Sequence, residues 1–225
     1  MAAAGREALV SFLDLLFPPK CPFCQKVQNA PGICPACRQS LPWAEPLVKE
    51  GAGYGRCAAP LRYEGSVREA ILRFKFNGKL SGAELFGGFL ASAAAEAFAG
   101  EFDCVTWVPV SRRRLKNRGF DQAQMLAEAA AAHWEERPLR LLRKVQDNPA
   151  QSGQSSASSR RANVLGVYEP SPEARGRRVL LIDDVITTGS TLAECVKVLR
   201  LAGAEHVVCA AVAQTTFANN AQNYT

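Results

Sequence analysis

Apolar and polar positions form blocks along this chain, and from residue 103 onward strand-like and helix-like blocks follow one another. Short β-branched apolar runs are typical of buried strands. Such runs occupy residues 104–110, 139–145, 179–182 and 206–214. Amphipathic stretches at 121–134 and 190–202 predict helices between them, with Asp121 as an N-cap and Gly203 as a terminator. This order predicts an α/β fold in which a parallel sheet is flanked by helices.

The first hundred residues predict a small module and then the start of the α/β domain. An amphipathic helix is predicted before Pro18, and a cysteine-rich segment follows it as far as Trp43. A Gly/Pro-rich linker is expected at 46–55, a strand at 57–63, and helices at 66–76 and 81–99. We divide the chain into three parts: a helix and cysteine module at 1–45, an α/β domain at 46–215 and a polar tail at 216–225.

Composition and charge narrow the range of functions. The chain has 225 residues, 48% of them hydrophobic and 21% charged, so a packed globular core is expected. The formal net charge of +6 favours anionic ligands such as phosphates or nucleic acid. No apolar stretch is long enough to cross a bilayer. Because acidic residues interrupt the N-terminal apolar run and no basic start precedes it, we expect a cytoplasmic protein rather than an exported one.

Four of the eight cysteines form two CxxC pairs, Cys21 with Cys24 and Cys34 with Cys37, separated by nine residues. Two such pairs supply the four thiolates of a tetrahedral zinc site, and four protein ligands make the zinc structural rather than catalytic. A redox-active CxxC and an iron–sulfur cluster are the alternatives. The remaining cysteines are single, and three of them lie in apolar segments as expected core residues: Cys104, Cys195 and Cys209.

The segment VLLIDDVITTGST, residues 179–191, joins an apolar run, two acids and a hydroxyl-rich turn. A parallel strand would bring Asp183 and Asp184 to its carboxyl end, where α/β proteins bind ligands. Because side chains alternate along an extended chain, at most one of these acids is expected to point into the core. The turn then opens a helix, whose free N–H groups favour a phosphate. A strand–turn–helix connection with ordinary capping residues is the alternative.

Five cations fall within seven residues directly after the sequence VPVS at 108–111. Like charges at this spacing repel one another, so a pyrophosphate or a nucleic-acid backbone would stabilise them. A solvated basic loop is the alternative interpretation. The five cations are Arg112, Arg113, Arg114, Lys116 and Arg118.

Residues 179–191 resemble the binding motif for phosphoribosyl pyrophosphate (PRPP) of type I phosphoribosyltransferases. The resemblance implies that Asp183 and Asp184 are catalytic and hold the ribose 2′ and 3′ hydroxyls of Mg²⁺-bound PRPP. It assigns the 5′-phosphate to Thr187, Thr188, Gly189, Ser190 and Thr191. Segment 106–127 resembles the pyrophosphate strand and loop of the same family, which implies a second set: Val110, Ser111, Arg112, Arg114 and Arg118. The Ser/Gln-rich segment 146–159 resembles the loop that closes over PRPP.

Taken in order, LDLLFPPKCPFC, FKFNGK, RGFDQA and the PRPP motif resemble the competence protein F (ComF) family over nearly the whole chain. This resemblance implies a type I phosphoribosyltransferase fold with an N-terminal zinc-ribbon-like module, and a link to DNA uptake in naturally transformable bacteria. Thr187 stands where enzymes acting on 6-oxopurines commonly carry an acid, which argues against salvage of hypoxanthine or guanine. The zinc module is a candidate for the part that covers a nucleobase.

Three hypotheses about function remain. The first is a phosphoribosyltransferase acting on Mg²⁺-PRPP with an unidentified acceptor. The second is a protein that handles single-stranded DNA, with Phe120 or Trp43 as stacking surfaces. The third is a sensor that binds PRPP or a nucleotide without turnover. The sequence offers no general base, because His133 and His206 have the patterns of structural residues.

Overall fold

The computed structural model describes residues 18–77, 80–146 and 166–215. The predicted N-terminal helix, the Ser/Gln-rich segment after Gln146 and the polar tail lie outside these residues. None of the helices in the described part of the chain has the length and apolarity needed to cross a membrane.

Eight strands form two sheets in the described residues. They are β1 Val48–Gly51, β2 Gly55–Ala58, β3 Leu61–Arg62, β4 Cys104–Trp107, β5 Leu142–Lys144, β6 Tyr168–Pro170, β7 Arg178–Ile186 and β8 His206–Gln214. The main sheet has the order β1-β2-β8-β7-β4, with β3 also paired to β8. Every pair in it is parallel except β1 with β2, while β5 and β6 form a separate antiparallel ribbon.

Six α-helices accompany the strands in the same residues. They are α1 Pro35–Ser40, α2 Gly65–Asn77, α3 Leu80–Phe98, α4 Arg112–Arg118, α5 Gln122–Ala131 and α6 Ser190–Leu201. Asp121 caps α5 as predicted, since its side chain accepts a hydrogen bond from the backbone N–H of Gln124 at 3.2 Å. Helices α3 and α5 approach closely at Gly87, where a Cβ atom would overlap Ala129.

The alternation of side chains along β7 places two hydrophobic cores on opposite faces of the sheet. Leu180 and Ile182 belong to a core that also contains buried residues of α2, α3 and α5. Val179 and Leu181 belong to the other core, which contains the apolar face of α6 and the ribbon of β5 and β6. The parallel sheet flanked by helices therefore matches the predicted fold class.

The zinc module packs into the first of these cores. Cys21, Phe23, Cys37 and Leu41 are buried in the same cluster as residues of α2 and α3. The ring of Phe23 meets Phe86 of α3 edge to face, with ring centroids 6.3 Å apart. The cysteine module and the α/β part of the chain therefore share one apolar cluster.

Several predicted elements differ from the structure in extent or partner. Residues 139–145 contribute only β5, which leaves the parallel sheet and pairs with β6. The expected linker at 46–55 contains β1, an antiparallel edge strand. The strand predicted at 104–110 ends at Trp107, and the basic segment after Ser111 forms helix α4 instead of a loop. Strand β7 continues beyond Ile182 through both acids, because β8 continues to pair with it as far as Gln214.

Candidate functional site

A cavity of about 310 Å³ opens beside the carboxyl ends of the central strands. It brings together residues that are far apart in the chain, from the end of β7, the start of α6 and the segment around α4. The predicted site residues that line it are Val110, Arg114, Arg118, Asp183, Asp184, Thr187 and Thr191. The other predicted phosphate and pyrophosphate residues do not line it: Ser111, Arg112, Thr188, Gly189 and Ser190.

Asp183 lies in a half-buried position on β7, beside the core that α6 covers. Burial and the adjacent Asp184 carboxylate raise the pKa of Asp183 to about 8, although hydrogen bonding from the Asp184 backbone and the charge of Lys75 act in the opposite direction. Burial and then the charge of Asp183 also raise the pKa of the Cys195 thiol on α6. Asp183 is therefore an acid held in an unfavourable environment, as expected of a ligand-binding carboxyl.

Asp184 faces a cation instead. Its Oδ2 lies 3.0 Å from the Nζ of Lys75 on α2, and both side chains are largely buried, at 18% and 21% exposure. Its backbone N–H donates to the Oδ1 of Asp183 at 2.8 Å. The two adjacent acids thus have different partners, as the alternation of a strand requires.

The turn after β7 is shaped by Gly189, which has a φ of +76° and serves as the N-cap of α6. A Cβ atom at this position would overlap the ring of Tyr54. The hydroxyls of Thr188 and Ser190 lie 2.5 Å apart, and the Nζ of Lys49 donates to the carbonyl oxygen of Thr187 at 3.3 Å. The turn therefore presents backbone N–H groups and exposed hydroxyls at the start of a twelve-residue helix, which is an anion-binding arrangement.

The opposite wall of the cavity comes from the segment around α4. Ser111 is buried and caps α4 by accepting a hydrogen bond from the Arg114 backbone N–H at 3.3 Å. The Val110 backbone N–H donates to Asp121 at 3.1 Å. Arg114 and Arg118 line the cavity, so two of the predicted cations face the acids and the turn.

Sequence reasoning did not assign several residues that line this cavity. They are Tyr63, Lys75, Gln122, Ala123, Lys144, Tyr168 and Val185. Val108 and Pro109, which the resemblance placed in the pyrophosphate loop, also line the cavity. Lys75 belongs to FKFNGK and Gln122 to RGFDQA, so both stood in segments already singled out as family markers. Sequence patterns alone assign no role to these two residues, because their meeting with Asp184 and Arg118 depends on how α2 and α5 pack.

A larger cavity, of about 580 Å³, lies at the opposite end of the strands, beside the amino ends of β4 and β7. It is lined by residues around the amino ends of β4 and β7, including Phe102 and Arg177, and by Trp134 from the segment after α5. None of the predicted phosphate, pyrophosphate or metal residues lines it. The smaller cavity is therefore the one that carries the chemistry of the predicted motifs.

The four clustered cysteines form a second candidate site. Their Sγ atoms all lie within 4.8 Å of one another, and those of Cys24 and Cys34 are 3.7 Å apart. A tetrahedral zinc ion with Zn–S bonds of ~2.3 Å requires S–S separations of ~3.8 Å. Burial opposes ionisation of Cys21, but hydrogen bonds from the backbone of Cys24, Cys34 and Phe23 outweigh it and lower the pKa of this thiol to about 6. The donor set fits structural zinc bound by all four cysteines.

Comparisons with known proteins match both parts of the chain to known domains. Residues 115–223 match the model of the phosphoribosyl transferase domain, and residues 12–70 match that of the double zinc ribbon domain. Competence protein ComFC of Streptococcus pneumoniae is 30% identical over 187 residues, which cover 83% of this chain and 77% of the relative. The chain belongs to the ComFC family of competence proteins.

Two further proteins are similar to a smaller part of this chain. The DNA utilization protein YhgH of Escherichia coli O157:H7 is 31% identical over 109 residues, which cover 47% of this chain and 46% of that protein. The solved glutamine PRPP amidotransferase from B. subtilis, complexed with ADP and GMP, is 23% identical with a TM-score of 0.45. The match covers 63% of this chain, which spans only 30% of the amidotransferase.

Proposed function

We propose that this protein binds Mg²⁺-PRPP in the cavity at the end of β7 and transfers its phosphoribosyl group to an acceptor that is still to be identified. The observation that supports this most is the meeting of three groups around one cavity: the Asp183–Asp184 pair, the turn residues Thr187 and Thr191, and Arg114 with Arg118. Acids, a helix-opening turn and cations correspond to the ribose, the 5′-phosphate and the pyrophosphate of one ligand.

In this proposal the residues act by positioning and by charge. Asp183 and Asp184 bind the ribose hydroxyls, and the turn at 187–191 binds the 5′-phosphate through its N–H groups and hydroxyls. Arg114 and Arg118 stabilise the negative charge that develops on the departing pyrophosphate. Mg²⁺, when bound with PRPP, offsets further charge on the pyrophosphate oxygens. Ser111 and Arg112 were predicted to bind the pyrophosphate as well; they do not line the cavity, and their part in binding stays a prediction.

The structure offers no histidine base in the cavity among the described residues. His206 is the first residue of β8, at the amino end of the parallel strands, whereas the cavity lies at their carboxyl ends. Its Nε2 lies 3.2 Å from the Oε2 of Glu101. The acceptor is therefore proposed to be a group that is nucleophilic without deprotonation by histidine. If the protein binds PRPP but no tested acceptor leads to release of pyrophosphate, the protein is a sensor that binds PRPP without turnover.

Calorimetry tests the proposed site directly. The Asp183→Asn/Asp184→Asn variant should lose Mg²⁺-dependent PRPP binding, because it lacks the ribose ligands, while the unchanged protein binds in the micromolar range. The matched control is Glu173→Gln/Glu205→Gln, which removes two exposed carboxylates outside the cavity and should bind normally. No binding by the zinc-loaded, folded wild-type protein refutes the proposal. An equal loss in the control shows that net charge, rather than the site, controls binding.

A second function, binding of single-stranded DNA, is favoured by the surface of α4. Arg112, Arg113 and Lys116 are exposed on this helix, away from the cavity that takes Arg114 and Arg118. Cations in such an arrangement bind a phosphate backbone without reading its sequence. Relatives named competence protein and DNA utilization protein support the same direction. Of the two expected stacking residues, Trp43 is 48% exposed but meets Phe89 edge to face, and Phe120 is half-buried.

A further inference from the structure

Hydrogen bonds connect the zinc module to the C-terminal half of helix α2. The Nη2 of Arg73 donates to the carbonyl oxygens of Pro22 at 2.8 Å and Phe23 at 2.9 Å. These two residues stand between Cys21 and Cys24, the first pair of candidate zinc ligands. The position of both carbonyls is therefore fixed by the turn that holds the ligands.

Aromatic packing makes a second, independent connection between the same elements. Phe23 is 3% exposed and meets Phe86 edge to face. Phe86 in turn meets Phe74 of α2, with ring centroids 5.8 Å apart. Phe74, the residue before Lys75, is thus connected through the ring of Phe86 to Phe23 in the turn between Cys21 and Cys24.

Lys75 carries this connection into the cavity. Its Nζ lies 3.0 Å from Asp184 Oδ2, and its carbonyl oxygen accepts a hydrogen bond from the Nε2 of Gln122 at 3.1 Å. The Oε1 of Gln122 accepts in turn from Arg118 Nη1 at 3.0 Å. Two residues of a helix separated by two positions point about 200° apart around its axis, so Arg73 and Lys75 face opposite sides. Fixing α2 on the side of the zinc module therefore sets where Lys75 lies on the other side.

We propose that helix α2 couples the zinc module to the PRPP cavity and that Lys75 is a positioning residue, which holds the carboxylate of Asp184 in the orientation that binds the ribose. With Cys21 and Cys24 bound to zinc, Arg73 holds the helix, and Lys75 lies against Asp184. When either interaction is removed, the carboxylate rotates away from the ligand. This inference rests on the proposed function, since it concerns how the same cavity binds PRPP.

A double-mutant cycle on the zinc-loaded full chain tests the coupling. Lys75→Met should weaken Mg²⁺-PRPP binding by about tenfold or more, within the usual range of coupling between sites. Arg73→Met should weaken it in the same direction although Arg73 does not line the cavity. The double variant should be no worse than Lys75→Met alone, because both changes release the same carboxylate. Lys75→Arg should restore most of the affinity, since it keeps a cation opposite Asp184.

The control variant is Arg68→Met, on the exposed side of the same helix, where Arg68 pairs with Glu69. It should bind PRPP as the unchanged protein does. Zinc content and the unfolding temperature are measured for every variant, and Arg73→Ala replaces Arg73→Met if the latter does not fold. Normal PRPP binding by the zinc-loaded Arg73 variant overturns the proposal, and so do additive losses in the double variant.

A readout without PRPP separates this inference from the proposed function. If the wild-type protein does not bind PRPP, the proposed function fails, and the cycle is read in the unfolding temperature instead. The double variant Arg73→Met/Asp184→Asn should then lower the unfolding temperature by less than the sum of the two single variants. This result is expected although Arg73 and Asp184 are not in contact with each other. Losses for Arg68→Met and Asp184→Asn should add. Additive losses in the Arg73 cycle mean that α2 does not couple the zinc module to Asp184.

Discussion

At the scale of single residues, Asp183 and Asp184 show how one peptide step separates two environments. Asp184 has the ammonium of Lys75 at 3.0 Å, whereas Asp183 lies towards the core under α6 and has a raised pKa. Burying an ionised carboxylate lowers the stability of the folded protein, so such a group is expected where a bound ligand compensates for this cost. The pair therefore combines one acid whose charge Lys75 stabilises with one whose ionisation the protein disfavours.

Replacing Asp183 should make the unliganded protein more stable at neutral pH. Because its pKa is raised in the folded state, to about 8, the unfolded chain ionises first as the pH rises. Stability is then lost between the ordinary carboxyl pKa of ~4 and that raised value. Asp183→Asn removes this loss and should add about 1–3 kcal/mol at pH 7.5, with the gain disappearing near pH 4. Thermal unfolding from pH 4 to 8.5 measures it.

Asp184→Asn provides the matched comparison for that measurement. It removes the ion pair with Lys75 and should lower the unfolding temperature at neutral pH rather than raise it. A gain for Asp183→Asn that stays constant across the pH range contradicts the assignment of a raised pKa.

At the scale of elements, the sequence predicted most strands and helices because their patterns are local. β8 and the helices at 190–202 and 121–134 lie close to where periodicity placed them. β1 was missed because VKEG has no apolar pattern, and its pairing depends on β2 beside it. The contact of Lys75 with Asp184 could not be predicted, because it joins residues more than a hundred positions apart through the packing of α2.

Helix α4 carries a prediction about single-stranded DNA. The variant Arg112→Gln/Arg113→Gln/Lys116→Gln should weaken binding and reduce its salt dependence, by a slope of about 0.7 for each phosphate that the helix no longer neutralises. PRPP binding should be preserved, since Arg114 and Arg118 remain in the cavity. Fluorescence anisotropy of a labelled oligonucleotide across a salt series measures both the affinity and the slope.

An equal number of charges is removed in the control for the DNA experiment. Arg137→Gln/Arg175→Gln/Arg177→Gln changes three exposed arginines outside α4 and should leave DNA binding nearly intact. If this control weakens binding as much as the α4 variant does, the net charge of the protein is responsible. Absence of binding even at low salt removes the DNA-handling function.

At the scale of the whole molecule, the zinc module and the phosphoribosyltransferase part contribute residues to the same hydrophobic core. The division at residue 45 stays a prediction, and the shared apolar cluster bears on how independent the two parts are. Phe23 and Leu41 of the module pack with Phe74 and Phe86 of α2 and α3. The CxxC spacing predicted the cluster of thiols, but the apolar residues around them carried no sign of which helices they would cover. That contact makes the module part of the protein's main core.

Loss of zinc should therefore destabilise the entire protein in one transition. Without the metal, the turn that holds Phe23 in the core is no longer fixed, and structural zinc commonly contributes ~10 kcal/mol to the folding of its module. Cys24→Ala should lower the unfolding temperature by about 10 °C or more. The comparison is Cys104→Ala, a buried cysteine outside the cluster, which should cost only a few degrees. Calorimetry that instead shows two separate transitions, with the later one unchanged by Cys24→Ala, means that the α/β part folds independently of the zinc module.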